Sequence, residues 1–337
     1  MIKIYIKRIV NFCRSTSIDI SIKFLSSLKL RMSVEFNADD VYDGTGAQIQ
    51  RMMSVYSFAR ILNLKYIHNP IKHVSVHPLD GIENHNDYLN FLSRLNSFLN
   101  FSDITSNRTI NLDEIPEIKI ESINLRLLLK FGFLSFFEPQ CLKIQNAFPI
   151  IDFVRDGYRT SIDKLTSENF NLFNNNTFYS NYIVIHYRRG HGNFAIYPGQ
   201  KISREVSLKR IQNALLKLEI SDAASKLMAV FTDAPINDIF FEVPFGQDVL
   251  WKSMPGFRDG KLHLIGMKNE VFDKLSDEPI EIIRGGDPLK AILLMSNARY
   301  LIVGRSSLSY VAALFSQGKV ALPNDFWHPS QKGWITF

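Results

Sequence analysis

The chain has 337 residues, 46% of them hydrophobic, and a formal net charge of +6. This length and composition favour a globular protein of two medium-sized domains with a substantial core. The two cysteines, Cys13 and Cys141, lack metal-ligand spacing and exclude a disulfide framework, so we expect a reducing, cytoplasmic location.

The first 31 residues form a basic amphipathic segment. Among its charged residues only Asp19 is acidic, and all the others are lysines and arginines. The net charge of this segment therefore equals that of the whole chain, +6. The formally neutral remainder argues against a nucleic-acid-binding body. The segment lacks the apolar core of a signal peptide and has too many charges to span a bilayer. Two interpretations stay open: a helix lying on an anionic membrane, peripheral at its inner face, or a helix packed on the body with a solvated basic face.

The folded body is expected to begin near Met32, with an N-terminal Rossmann-like domain over residues 32–165. Residues 32–36 alternate like a strand, and a helical spacing of apolar residues follows a tight turn at residues 43–46. Residues 65–68 read as a second short strand. This order of strand, glycine loop, helix and strand is typical of the opening of a nucleotide-binding α/β domain.

The turn at residues 43–46 supplies three candidate site residues, Asp43, Gly44 and Gly46. Glycines there would let a ligand or a neighbouring backbone approach the N-terminus of the helix, whose free N–H groups favour oxygen-rich ligands. Ordinary turn chemistry is the alternative interpretation.

The middle of the chain has fewer clear signals. Residues 81–101 and 123–137 predict two amphipathic helices, the second very apolar. The asparagine-rich stretch 166–181 lacks helical periodicity and predicts a connection between domains.

Strands and helices alternate regularly in a predicted C-terminal Rossmann-like domain, residues 182–325, with residues 326–337 as a tail. Strands are expected at 182–187, 227–232, 261–265, 300–304 and 319–323, and helices at 203–219, 287–298 and 306–316. Asp287 and Pro288 have the residue types of a helix cap and first helical position. The pattern predicts a parallel sheet covered by helices, and hence two Rossmann-like domains facing each other across a cleft.

Polar residues follow several of these strands, where the carboxyl ends of parallel strands form one rim of the sheet. They are His186, Arg188, Arg189, Asp233, Arg305, Ser306 and Ser307. Arginine forks match phosphate oxygens, and serines at a helix start present hydroxyl and N–H groups to an anion. Pairing with a nearby carboxylate is the alternative, but no Asp or Glu lies between Arg189 and Glu205. The rim therefore predicts a diphosphate site.

Four motifs in the chain resemble those of the α1,2/α1,6- and protein O-fucosyltransferase superfamily. "HYRRGHG" is similar to its His-x-Arg-Arg-Gly-Asp motif, and "VFTDAP" to its strand that ends in Ser/Thr-Asp. "DPLKAILLMSNARYLIVGRSSLSYVAALFS" resembles its serine-rich C-terminal signature. "DGTGAQIQRMMSVYSFARIL" resembles its glycine-rich opening, and the motifs occur in the family's order over most of residues 35–325.

The resemblance implies a GT-B glycosyltransferase, inverting and independent of metal, that moves fucose from GDP-fucose to a hydroxyl of a glycan or lipid-linked glycan. It implies that Arg188, and less directly Arg189, holds the donor diphosphate. It also implies that Asp233, Ser306 and Ser307 line the nucleotide pocket. In agreement, the chain contains no Asp-x-Asp, the metal-diphosphate ligand of the other main glycosyltransferase fold.

The chain departs from the family at three places. His191 stands where the motif has aspartate, Tyr310-Val311 replaces paired tryptophans, and Ala298 replaces a cysteine. A transferase of another sugar such as xylose therefore stays open, as does a non-catalytic nucleotide-sugar-binding protein. No motif identifies the general base that inversion requires, and His191 and Asp43 are the candidates because both lie on loops expected to face the cleft.

Overall fold

A computed structural model of the chain describes residues 31–38, 43–75, 79–99, 117–122, 125–135, 137–146, 179–188, 194–197, 200–203, 205–220, 227–242, 257–258, 261–264, 266–328 and 330–337. The basic segment up to residue 30, most of the predicted connection, and both Arg189 and His191 lie outside these ranges.

The chain divides into two compact units. Unit 1 comprises Met1–Val41, Gln48–His73 and Arg94–Ser167, and unit 2 comprises Tyr42–Ala47, Val74–Ser93 and Glu168–Phe337. The sequence predicted one continuous N-terminal domain over residues 32–165. In the structure, two short pieces of that stretch belong instead to unit 2.

Unit 1 is built on a four-stranded parallel sheet. Its strands are β1 (Met32–Phe36), β2 (Lys65–Ile67), β3 (Glu117–Ser122) and β4 (Gln140–Asn146), in the order β2-β1-β4-β3. All five residues of β1 are buried, as expected for a parallel strand covered on both faces. Helices α1 (Thr45–Ile61) and α3 (Leu125–Leu134) connect β1 to β2 and β3 to β4. Helix α2 (His85–Phe98) lies between β2 and β3 in the chain, and its residues up to Ser93 belong to unit 2.

Unit 2 is built on a six-stranded parallel sheet. Its strands are β5 (Ile183–Tyr187), β8 (Met228–Thr232), β12 (Ile280–Arg284), β13 (Tyr300–Ile302), β14 (Lys319–Leu322) and β15 (Ile335–Thr336). Every neighbouring pair in this sheet is parallel. Its helices are α4 (Leu208–Lys217), α5 (Pro288–Ser296) and α6 (Ser307–Phe315). A hairpin of β6 (Phe194–Tyr197) and β7 (Gln200–Ser203) follows β5.

The strand order of the large sheet is β12-β8-β5-β13-β14-β15. Numbered by their succession in the chain, these strands lie in the order 3-2-1-4-5-6, the arrangement of the Rossmann fold. Within this sheet, β5 is the first strand in sequence, and β8 and β12 are added in turn on one side of it. The chain then crosses back, and β13 pairs with the other side of β5. The topological switch point, where ligands bind in such sheets, therefore lies between the carboxyl ends of β5 and β13.

Local capping explains where the helices of unit 2 begin. The Asp287 carboxylate accepts from the backbone N–H of Leu289 at 2.9 Å, and Pro288 occupies the first helical position, as predicted. Ser207 caps α4, and Ser306 caps α6. The predicted helix at 203–219 therefore starts several residues later, because Ser207 rather than Ser203 supplies the capping oxygen.

Several elements of unit 2 differ from the expected alternation. Residues 261–265 were predicted as a strand of the parallel sheet, but β11 (Lys261–Leu264) pairs antiparallel with β9 (Ile239–Glu242) and β10 (Phe257–Arg258) in a separate sheet. Strand β12, at the edge of the large sheet, was not predicted, because its partly exposed residues lack a continuous apolar run. The expected C-terminal tail provides β15, the sixth strand of the sheet.

Candidate functional site

Arg188 follows β5 directly and lies at the switch point of unit 2. Its Nη1 atom donates a hydrogen bond to the Ser306 hydroxyl oxygen at 2.9 Å, and Ser306 caps α6 just beyond β13. Its Nε atom lies 3.6 Å from Oδ2 of Asp233, which follows β8. The structure therefore brings together residues from the ends of three adjacent strands, and Arg188 has a carboxylate partner that is distant in the sequence.

His186 is the second-last residue of β5 and lies two positions before Arg188 in the sequence. It is 7% exposed, and its Nδ1 atom has no hydrogen-bond partner among the described residues. Burial lowers the pKa of His186 to about 4, although the charge of Asp233 acts in the opposite direction and that of Arg188 in the same one. The imidazole is therefore neutral at physiological pH, and Arg188 supplies the positive charge here.

The turn between β13 and α6 packs very closely on β5. A Cβ atom at Gly304 would lie 2.4 Å from the backbone oxygen of His186 and 3.0 Å from its Nδ1 atom. Only glycine permits this approach, which holds the N-terminus of α6 against the residues that follow β5.

The N-terminus of α6 presents donors beside Arg188. The Ser306 oxygen accepts from both Arg188 and the backbone N–H of Leu308, at 3.2 Å for the latter. Both acceptor positions of this hydroxyl are thereby occupied, which leaves its proton as a donor. A helix N-terminus carries a partial positive charge, so helix end, hydroxyl and guanidinium together favour an anion, with Asp233 offsetting part of the charge.

The first turn of α1 reaches the same helix end. A Cβ atom at Gly46 would lie 2.3 Å from the backbone nitrogen of Leu308 and 2.5 Å from the carbonyl carbon of Ser307. Gly44, by contrast, has open space where its Cβ would be, and its N–H donates to the Asp43 carboxylate at 2.9 Å. Of the two interpretations of these glycines, the structure supports close approach at Gly46, where the neighbour is the first turn of α6.

Arg305 lies outside this group although it precedes Ser306 in the chain. Its guanidinium is buried and donates to both carboxylate oxygens of Asp325 and to the backbone oxygen of Glu205. Burial opposes ionisation of Asp325, but hydrogen bonds and charges of Arg210 and Arg305 outweigh it and hold the pKa of this carboxyl below its usual range. Arg305 thus has a structural role in these contacts.

The loop after β14 adds residues that sequence reasoning missed. His328 is 6% exposed, and its Nε2 atom lies 3.3 Å from the Ser307 hydroxyl oxygen and 2.9 Å from Nε1 of Trp327. Burial lowers the pKa of His328 to about 3. The signal for this loop was the aromatic-rich stretch directly after the last predicted strand, which we assigned to a tail.

Arg284, at the end of β12, is another residue that sequence reasoning missed. Its guanidinium donates to the backbone oxygens of Ala234 and Met267 and to the side-chain oxygen of Asn269, at 2.6–2.7 Å. Burial lowers its pKa. These bonds tie together the segments that follow β8 and β11, and so fix the loop that carries Asp233.

No group of three or more His, Cys, Asp or Glu in the described ranges is arranged to hold a metal ion. Among the helices that the structure describes, none has the length and apolarity needed to cross a bilayer.

Fold and site together define an α/β protein with Rossmann strand order and an arginine at its switch point. Comparison with known proteins adds no family to this description, because no family model matches the chain and no curated protein matches it significantly.

Proposed function

We propose that the protein is an inverting, metal-independent glycosyltransferase that moves a sugar, with fucose from GDP-fucose as first choice, onto a hydroxyl of a glycan or lipid-linked glycan. The observation that carries the proposal is the Arg188 guanidinium at the switch point, 2.9 Å from the hydroxyl that caps α6. The resemblance of the motif around Arg188 to fucosyltransferases supports the choice of donor. The GT-B arrangement of two Rossmann-like domains is part of the same proposal.

The chemistry follows from the charge that develops when the glycosidic bond to the diphosphate breaks. Negative charge then grows on the leaving phosphate, and a guanidinium that contacts it stabilises the transition state more than the bound substrate. Ser306 can donate its remaining proton to the same group. His186 stays neutral beside Arg188, so it adds neither repulsion nor a second charge at this point.

The general base that takes the acceptor proton is proposed to be His191 or Asp43. His191 stands three positions after Arg188 in the sequence, and an unperturbed histidine titrates near neutral pH. Asp43 is a carboxylate two residues before α1, and one of its oxygens accepts from the backbone N–H of Gly44.

A second candidate function is a nucleotide-sugar-binding protein without catalysis. The observation that favours it is the histidine at position 191, where the similar family has aspartate. Hydrolysis of GDP-sugars by the purified protein, in the absence of acceptor, separates the two functions, because many transferases release sugar slowly to water.

We predict that GDP-sugars raise the melting temperature of the protein in excess EDTA, and more than UDP-, CMP- or dTDP-sugars do. A ligand that binds only the native state stabilises it by mass action, by about 2.7 kcal/mol at 100 times its Kd. Thermal shift with this panel is the measurement. If no nucleotide sugar raises the melting temperature, the proposed function is wrong. If the shift disappears in EDTA and returns with manganese, metal independence is wrong.

We also propose that residues 1–31 bind an anionic membrane surface. A chain that starts at Met32 should keep GDP-sugar binding but lose association with anionic liposomes, because each basic residue near such a surface contributes about 1 kcal/mol. Co-sedimentation of the full chain with vesicles should also fall as salt rises.

A matched control changes charge without removing apolar residues, by substituting Lys3, Lys7 and Arg8 with glutamine. This variant should also lose vesicle binding while it keeps its melting temperature. If the truncated chain melts at a markedly lower temperature and the full chain ignores anionic vesicles, the segment is a packed helix and the membrane proposal is wrong.

A further inference from the structure

Trp327 and His328 follow β14 and belong to the same rim as the diphosphate site proposed above. The indole of Trp327 contacts Phe326 and His328, with ring centroids 4.4 and 5.7 Å apart, yet remains 40% exposed. His328 is held on its other side by Tyr310, which is fully buried and whose ring centroid lies 4.7 Å from the imidazole. A buried histidine thus fixes a half-exposed tryptophan next to the helix end.

The hydrogen bonds in this group have a defined direction. An indole N–H can only donate, so the Nε2 atom of His328 that it contacts at 2.9 Å must be an unprotonated acceptor. The Ser307 hydroxyl, 3.3 Å from the same nitrogen, can then only donate to it. The indole N–H already occupies the single lone pair of this nitrogen, so the longer contact from Ser307 shares the same acceptor. When the Ser307 hydroxyl donates to His328, its oxygen is left to accept a hydrogen bond from a ligand.

The two serines at the start of α6, the cap Ser306 and the first helical residue Ser307, therefore have opposite hydrogen-bonding roles toward a ligand. Ser306 retains a proton to donate, which suits a phosphate oxygen, whereas Ser307 offers lone pairs, which a phosphate oxygen would repel. A donor such as a hydroxyl is therefore the group that best suits the position next to Ser307.

We infer that Trp327 and Ser307 form the subsite for the sugar attached to the diphosphate: the indole stacks on the apolar C–H face of the pyranose, and the Ser307 oxygen accepts from one of its hydroxyls. The inference rests on the proposed function. A pyranose offers both chemistries on one ring, and it is the group covalently next to the phosphate that Ser306 and Arg188 would hold. His328 is a positioning residue in this subsite, since it orients both partners without contacting the sugar.

The inference predicts that Trp327 and Ser307 distinguish GDP-fucose from GDP. Trp327→Ala should weaken GDP-fucose binding roughly 10-fold and leave GDP binding within about 2-fold, because only the sugar loses its stacking partner. Trp327→Phe should retain most of the affinity, since an aromatic face remains. Ser307→Ala should weaken GDP-fucose but not GDP. Isothermal titration with both ligands measures these ratios.

Trp334 provides the matched control, because it packs edge-on against Tyr310, with ring centroids 5.6 Å apart, in the same aromatic group. Trp334→Phe should change the two affinities by the same factor. If Trp327→Ala weakens GDP and GDP-fucose equally, the indole serves the nucleotide or the fold, and the inference is wrong. Unchanged affinities for both ligands overturn it as well.

A separate measurement keeps the inference testable if the wild-type protein binds neither nucleotide, an outcome that refutes the proposed function. The indole ¹⁵N–¹H signal of Trp327, assigned through Trp327→Phe, is followed while methyl α-L-fucopyranoside or methyl β-D-xylopyranoside is added at high millimolar concentration. A selective shift of this signal supports a sugar subsite that works without the nucleotide. The absence of a shift in such a protein refutes the subsite.

Discussion

Replacing Arg188 with alanine should reduce sugar transfer from GDP-fucose roughly 100-fold, the loss typical of one charge-stabilising donor, on the order of 3 kcal/mol in the barrier. The guanidinium contacts the capping hydroxyl of α6 at 2.9 Å, which places it where the leaving diphosphate is proposed to lie. The effect should fall on kcat more than on KM, because the contact strengthens as the bond breaks.

Lysine at this position should restore little of the rate. One ammonium cannot reach both the Ser306 hydroxyl and a phosphate in the way that a planar fork does. Arg60, exposed in the last turn of α1, offers a control, and Arg60→Ala should transfer sugar at the wild-type rate. Near-normal turnover of the Arg188→Ala variant, with an unchanged melting temperature, would contradict the assignment of Arg188 to the diphosphate.

Replacing Gly46 with alanine should destabilise the protein by about 1–3 kcal/mol, the usual cost of forcing an atom into a packed region. Helix propensity alone predicts the opposite sign, since alanine in a helix is favoured over glycine by about 1 kcal/mol. Steric overlap should dominate because the new Cβ would lie 2.3–2.5 Å from backbone atoms of Ser307 and Leu308, which cannot rotate away as a side chain would.

The neighbouring Gly44 is a matched control for this substitution. It has no atom within 4 Å of its Cβ position, so Gly44→Ala should change the free energy of unfolding by no more than about 0.5 kcal/mol. Urea denaturation of the two variants measures the difference. Because the displaced atoms belong to the first turn of α6, Gly46→Ala should also weaken GDP binding. Equal stability of the two variants would show that the packing between Gly46 and α6 yields to the extra carbon.

Local interactions made part of this protein predictable from its sequence. Strand β5 is a largely apolar run that is followed directly by arginine, and its extent follows from composition alone. Asp287 and Pro288 mark the start of α5 because a cap acts within three residues of its own position. The alternation of such elements predicts a parallel sheet and a polar rim, since strands that run in the same direction end on the same side.

The tertiary structure decided which of the rim residues share a site. Arg305 and Ser306 are adjacent in the sequence, yet Arg305 is bound to Asp325, 20 residues further on, while Ser306 contacts Arg188, 118 residues before it. Trp327 and His328 join Ser307 only because β14 pairs next to β13. Charge and hydrogen bonding depend on distance in space, and the order of strands in a sheet, which sets those distances, arises from packing among residues far apart in the chain.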